Sequence, residues 1–253
     1  FNSVSQLECF HRRVRPLRVG LRVNPGVSYS RFDLADPARR YSRLGVIDKD
    51  ALMGVLPLIS GVMFHFNCEN DDFASLSSFL DYIGSTFGAA LEQLEWVSIG
   101  GGIAFTKKGY PLKRFCACLK EFSRMFGVQI YLEPGESAIT HSAELVTTVV
   151  DIVHNEVDIA IVDASAEAHM LDVLMYQEPA SVGRGNSGPY LYTVAGRSCL
   201  AGDVFGTCSF RSPLRVGQTV RIADAAGYSM VKKNWFNGLQ MPSIVVRRID
   251  GSL

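Results

Sequence analysis

Three consecutive glycines, Gly100-Gly101-Gly102, directly follow the apolar stretch at residues 94–99. Glycine lets the backbone approach an anion closely and aim N–H groups at it, so this turn suits a phosphate; it also suits a tight strand exit. It is not the G-x-G-x-x-G of dinucleotide-binding folds, and no acidic residue follows at the required distance. Glu133 and Glu136 bracket Pro134-Gly135. A carboxylate held there can keep a ring nitrogen protonated, or can be an ordinary solvated turn residue. His65 stands between Phe64 and Phe66, and strand alternation turns it away from both. It is either a packed imidazole or a face for a flat cofactor. Cys199 and Asp203 place a thiol and a carboxylate four residues apart. His169 and Asp172 follow an apolar run ending at Asp163, and Tyr228 follows Gly227, where its hydroxyl can meet a phosphate or its ring can fill a core.

The elements that must position these groups fall into two sets. Residues 3–13, 48–58, 72–87 and 112–126 carry helical spacing. Asp72 is placed to cap the third, and Gly127 to stop the fourth. Between them residues 17–24, 61–67, 94–99 and 128–133 read as strands. Strands alternating with helices predict a parallel sheet, as a barrel or a doubly wound fold. The polar candidates sit at the strands' C-terminal ends, where a (β/α) barrel builds its site. From about residue 140 the pattern changes to short strands between Gly, Pro and Ser turns, at 143–154, 157–163, 190–194, 203–210, 218–223 and 243–249. A barrel part over residues 1–140 and an all-β domain over 141–253 are expected, with a Gly/Ser loop at 180–189.

Composition narrows the function classes. Lys plus Arg number 25 and Asp plus Glu 25, which gives no basic excess for nucleic acid. No apolar run approaches the roughly 18 residues of a membrane span, and no signal peptide is expected. The six cysteines are scattered without C-x-x-C pairs or zinc spacing, so reduced thiols, a cytoplasmic location and no metal site are expected.

Each motif is weak alone, but their order is specific. Phe64-His65-Phe66, Val97-Ser98-Ile99-Gly100-Gly101-Gly102, Leu132-Glu133-Pro134-Gly135-Glu136, Ser198-Cys199-Leu200-Ala201-Gly202-Asp203, Ala226-Gly227-Tyr228 and Phe236-Asn237-Gly238 run along the whole chain. Together they resemble the alanine-racemase-like, fold-type-III pyridoxal-phosphate decarboxylases. The variants at 198–203 and at 163–172 favour the branch that decarboxylates carboxylated polyamines; relatives acting on diaminopimelate or ornithine are the alternative. The resemblance implies a pyridoxal 5'-phosphate-binding (β/α)8 barrel, here its C-terminal half, followed by the β-domain. It implies that His65 stacks on the cofactor ring, Gly100, Gly101, Gly102 and Tyr228 hold its phosphate, and Glu133 meets its pyridine nitrogen. It further implies that Glu136, Asp172 and Asp203 meet a cationic polyamine-like substrate. Cys199 is the implied acid that protonates Cα, in a homodimer whose subunits share their sites. Met170-Leu171-Asp172 replaces the family's Met-Pro-Asp, and Met63 stands where a histidine is frequent, which bears on substrate choice. None of Lys49, Lys107, Lys108, Lys113, Lys120, Lys232 and Lys233 matches the lysine to which the family bonds its cofactor. With no initiator Met, this predicts a piece lacking roughly the first hundred residues of a barrel protein. A non-catalytic homologue that binds partners through the dimer surface is the other reading of that gap.

Overall fold

The computed structural model describes residues 1–14, 16–68, 70–183 and 187–252. It divides into two compact units, Phe1–Ala138 and Ile139–Leu253.

The first unit alternates as its periodicity requires: α1 (Val4–Phe10), β1 (Gly20–Val23), α2 (Lys49–Val55), β2 (Gly61–Phe64), α3 (Phe73–Leu91), β3 (Trp96–Ser98), α4 (Leu112–Phe126) and β4 (Gln129–Tyr131). The strands pair in parallel in sequence order, β1-β2-β3-β4. A right-handed crossover through a helix is the ordinary way to join such neighbours. Asp72 caps α3 by accepting the Ala74 and Ser75 amides, and Gly127 ends α4 in the left-handed region at φ 68°. The strands are shorter than the apolar runs that announced them, because each run continues past the ladder into the turn that carries the site.

One face of this sheet is covered by helices. Leu21, Val23, Val62, Phe64, Val97 and Ile99 point there and pack with Phe79, Ile83, Phe87 and Phe122. Phe66 stacks on Phe79 with ring centroids 3.9 Å apart. Burying each such side chain stabilises the unit by about 1.5–3 kcal/mol. The opposite face carries Arg22, Met63, Ser98 and Tyr131 in register. One level below, the Trp96 indole lies across Gly20 and Gly61 so closely that neither has room for a Cβ.

The second unit is a five-stranded sheet ordered β8-β7-β6-β5-β9, built from β5 (Glu144–Asn155), β6 (Val157–Val162), β7 (Tyr190–Ala195), β8 (Val204–Phe210) and β9 (Thr219–Ala223). All its pairings are antiparallel except β6 with β7. The β character from residue 143 onward is therefore observed, with two corrections. Short helices interrupt the strands: α5 (Glu136–Ile139) at the boundary between the units, then α6 (Ala166–His169), α7 (Asp172–Tyr176) and α8 (Tyr228–Val231). These are one-turn pieces, too short to show a helical period in sequence. The strand expected at 243–249 is not formed, and Ile244, Val245, Val246 and Ile249 are exposed. β-branched residues favour a pleated surface only when a neighbouring strand supplies it. Of the expected 180–189 loop, residues 184–186 lie outside the described residues.

Candidate active site

Strand alternation builds the site in the first unit. Phe64 and Phe66 are buried on the helix side, so His65 faces the other way, above Met63. Its Nδ1 is buried without a hydrogen-bond partner among the described residues. Burial lowers the His65 pKa, the Arg22 charge lowers it further, and Glu133 opposes both. The ring is thus held neutral at physiological pH. Gly100 lies directly against it: a Cβ there would stand 2.6 Å from Nδ1.

The glycine turn is packed on every side, and each position excludes a side chain for its own reason. Gly100 and Gly102 take positive φ of 70° and 76°. A Cβ on Gly101 would overlap the Glu133 carbonyl oxygen, and one on Gly102 would meet the Asn67 carbonyl at 2.6 Å. Asn67 Nδ2 donates to the Gly102 carbonyl at 2.8 Å, and the Glu133 amide donates to the Gly100 carbonyl at 2.9 Å. The Gly101 and Gly102 amides donate to no acceptor among the described residues. Glu133 presents an exposed carboxylate beside this turn, with Oε1 accepting the Ser98 hydroxyl at 2.5 Å. Glu136, half-buried, opens α5 three residues later. A cavity on this face is lined by Gly20, Arg22, Met63, Trp96 and Glu133 among others. The parts fit pyridoxal phosphate: amides open to a phosphate, an orphaned imidazole nitrogen, and a carboxylate for a ring nitrogen.

The remaining candidates lie in the second unit, where three of the sequence motifs converge. The Asp203 carboxylate accepts the Ala166 amide at 2.7 Å and the Ser198 amide at 3.2 Å. Asp203 is 3% exposed. This departs from the expected substrate contact: its charge is committed to the first turn of α6 and to the loop that carries Cys199. Cys199 itself is exposed, and its amide donates to Asn237 Oδ1 at 2.7 Å. Asn237 sits at φ 55°. Asn237→Ala is therefore expected to cost about 2 kcal/mol in urea unfolding, about 1 for the hydrogen bond and about 1 for left-handed backbone without Asn or Gly. Asn237→Gly should recover the second part alone; equal losses in the two variants would refute this division.

Asp172 also has a partner. Its Oδ1 accepts from Lys232 Nζ at 2.5 Å, and that ammonium lies 4.6 Å from the centre of the Tyr228 ring. Tyr228 is exposed at the start of α8. Sequence reading gave Lys232 no part, because residues 60 apart reveal no pairing without the fold. It also passed over Arg22 and Ser98, which the register with Met63 and Tyr131 places on the same face.

His169 is a core residue. Its Nδ1 accepts the Ser165 amide at 3.2 Å, so Nε2 carries the proton donated to the Gln240 carbonyl at 3.1 Å. Burial, the largest influence, lowers its pKa below the ordinary 6.5. The unfolded chain then binds more protons just below pH 6.5 than the folded one, so stability is present above that pH and is lost as pH falls through the folded pKa. Thermal unfolding should show this acid limb, and His169→Gln should flatten it in part, His65 contributing in the same direction. An unchanged limb would contradict the lowered pKa of His169. No group of three His, Cys, Asp or Glu able to hold a metal occurs among the described residues, and no described helix is long and apolar enough to cross a membrane.

Comparison with known proteins gives the family. Residues 32–226 match the family described as pyridoxal-dependent decarboxylase, C-terminal sheet domain. A carboxynorspermidine/carboxyspermidine decarboxylase from Herminiimonas arsenicoxydans is 47% identical over 253 residues, covering 100% of this chain and 69% of that protein. A carboxyaminopropylagmatine decarboxylase from Synechocystis is 36% identical, covering 99% of this chain and 66% of that one. The crystal structure of Campylobacter jejuni carboxynorspermidine decarboxylase complexed with norspermidine superposes with a TM-score of 0.83 at 37% identity, covering 96% of this chain and 67% of that chain. The chain thus spans about two thirds of the length of these relatives. By fold, by the order of its motifs and by these similarities, it belongs to the pyridoxal-dependent decarboxylases.

Proposed function

We propose that the intact protein removes the α-carboxylate of a carboxylated polyamine, carboxynorspermidine or carboxyspermidine, in polyamine biosynthesis. The observation that carries this reading is the joint placement of the open glycine amides, the orphaned His65 nitrogen and the Glu133 carboxylate on one sheet face. The names of the relatives and the norspermidine bound in the Campylobacter structure support the substrate class. When bound, pyridoxal phosphate supplies an electron sink for the pair left at Cα as CO2 departs. Gly101 and Gly102 would offer their amides to its phosphate and His65 its ring face. Glu133 would favour the protonated ring nitrogen by charge. Glu136 and Asp172 would take the substrate's ammonium groups in charge-assisted hydrogen bonds. For Asp172 this means exchanging the Lys232 ammonium for a substrate ammonium. The Cys199 thiol would give its proton to Cα.

Activity assays on the intact protein with carboxynorspermidine, carboxyspermidine, diaminopimelate and ornithine test the substrate. The highest kcat/KM on either of the last two would replace this reading by the sister one. The scattered cysteines, without C-x-x-C pairs, support a reducing, cytoplasmic location, which cell fractionation checks.

Assembly belongs to the same proposal: a homodimer in which Cys199, on the loop that Asp203 anchors, completes the pocket around Glu133 of the other subunit. Mixing Cys199→Ala subunits with Glu133→Gln subunits, each with little activity by itself, should then restore activity. A mixed dimer has one pocket with both defects and one with neither, so random exchange recovers about a quarter of wild-type sites. Mixtures that stay inactive after exchange is shown by tagged pull-down would place Cys199 within its own chain's site.

A further inference from the structure

We infer that Ser98 is a positioning residue for Glu133, tying that carboxylate to the glycine turn. The inference rests on the assignment of Glu133 to the cofactor's ring nitrogen. Ser98 ends β3 and is 3% exposed. Its Oγ accepts the Gly100 amide at 3.2 Å and donates to Glu133 Oε1 at 2.5 Å. The direction of this relay is fixed by chemistry: an amide N–H can only donate and an ionised carboxylate can only accept. A second link runs back, from the Glu133 amide to the Gly100 carbonyl at 2.9 Å. Both the backbone and the side chain of Glu133 are thereby referenced to the first residue of the turn.

This link has a use that packing alone does not explain. An exposed glutamate has several rotamers of similar energy, and holding one costs conformational entropy. A buried donor selects the rotamer before any ligand arrives. Phosphate and ring nitrogen belong to one small molecule, joined by a short ester arm, so the groups that receive them must stay within a limited separation. Ser98 touches both. Its neighbours in register are Met63 and Tyr131, so a small hydroxyl-bearing side chain fills the slot between them. Alanine removes the donor, and aspartate would set a second carboxylate against Glu133.

The test uses two ligands that cannot bond covalently to a lysine: pyridoxamine 5'-phosphate, and its analogue with the ring nitrogen replaced by C–H. Their affinities are measured by equilibrium dialysis on the intact protein freed of cofactor. Ser98→Ala is expected to weaken pyridoxamine phosphate about tenfold and the C–H analogue by less than about twofold. Adding Ser98→Ala to Glu133→Gln should leave the ratio of the two affinities where Glu133→Gln alone puts it. Equal weakening of both ligands by Ser98→Ala would mean that Ser98 only props the turn, and the inference would be wrong. If Glu133→Gln itself did not discriminate the two ligands, the assignment of Glu133 would fall, a result distinct from failure of Ser98 alone.

Discussion

Glu133→Gln is expected to lower kcat of the intact enzyme about a hundredfold, with a much smaller change in substrate KM. The substitution is nearly isosteric and keeps a side-chain oxygen able to accept the Ser98 hydroxyl, so the 2.5 Å contact has a replacement. The side chain is exposed, and the Glu133 amide holds the turn through backbone alone. What disappears is one negative charge beside the ring nitrogen. That charge acts when electron density reaches the ring, after substrate has bound, so the loss belongs to the chemical step. Steady-state kinetics with cofactor occupancy checked by absorbance would measure it. A kcat within a few-fold of wild type would remove Glu133 from the ring nitrogen and leave the carboxylate a structural group.

How far the sequence reached can be judged residue by residue. The parallel half was legible because its helices carry a helical period and its strands an apolar run, with Asp72 starting α3 and Gly127 stopping α4 as their types require. The facing of His65 followed from its two phenylalanine neighbours, which are buried at 0% and 1%. Positions within one local motif were thus readable. Pairings across long separations were not. Asp203 was read as a substrate contact, and the Ala166 amide that its carboxylate accepts lies 37 residues earlier, beyond the reach of the motif. The Asp172–Lys232 pair and the Asn237 contact with Cys199 are of the same kind. The Ile244-Val245-Val246 run failed for the opposite reason: strong local β propensity with no neighbouring strand to use it.

The glycine turn gives the second large effect. Gly101→Ala is expected to destabilise the first unit by about 3 kcal/mol and to abolish measurable phosphate-ligand binding. Its φ is not positive, so the penalty does not come from the left-handed region. It comes from the Glu133 carbonyl, which a Cβ at Gly101 would overlap. The obstacle is backbone, and no rotamer change can clear it. Either the turn opens or the end of β4 moves, and the Glu133 amide bond to Gly100 couples the two. Amides and carboxylate are then displaced together. Two other glycines separate this cause from the alternatives. Gly109 sits at φ 90° with nothing within 4 Å of a built Cβ, so alanine there should cost only about 1 kcal/mol of backbone strain. Gly135 has neither positive φ nor a neighbour within 4 Å, so alanine there should be neutral or stabilising by a few tenths of a kcal/mol, roughly, through the unfolded chain. Urea unfolding of the three variants should therefore rank Gly101 far below Gly109, and Gly109 below Gly135. If Gly101→Ala unfolds with Gly135→Ala and still binds phosphate ligands, the close approach of Gly101 to Glu133 does not hold the site together.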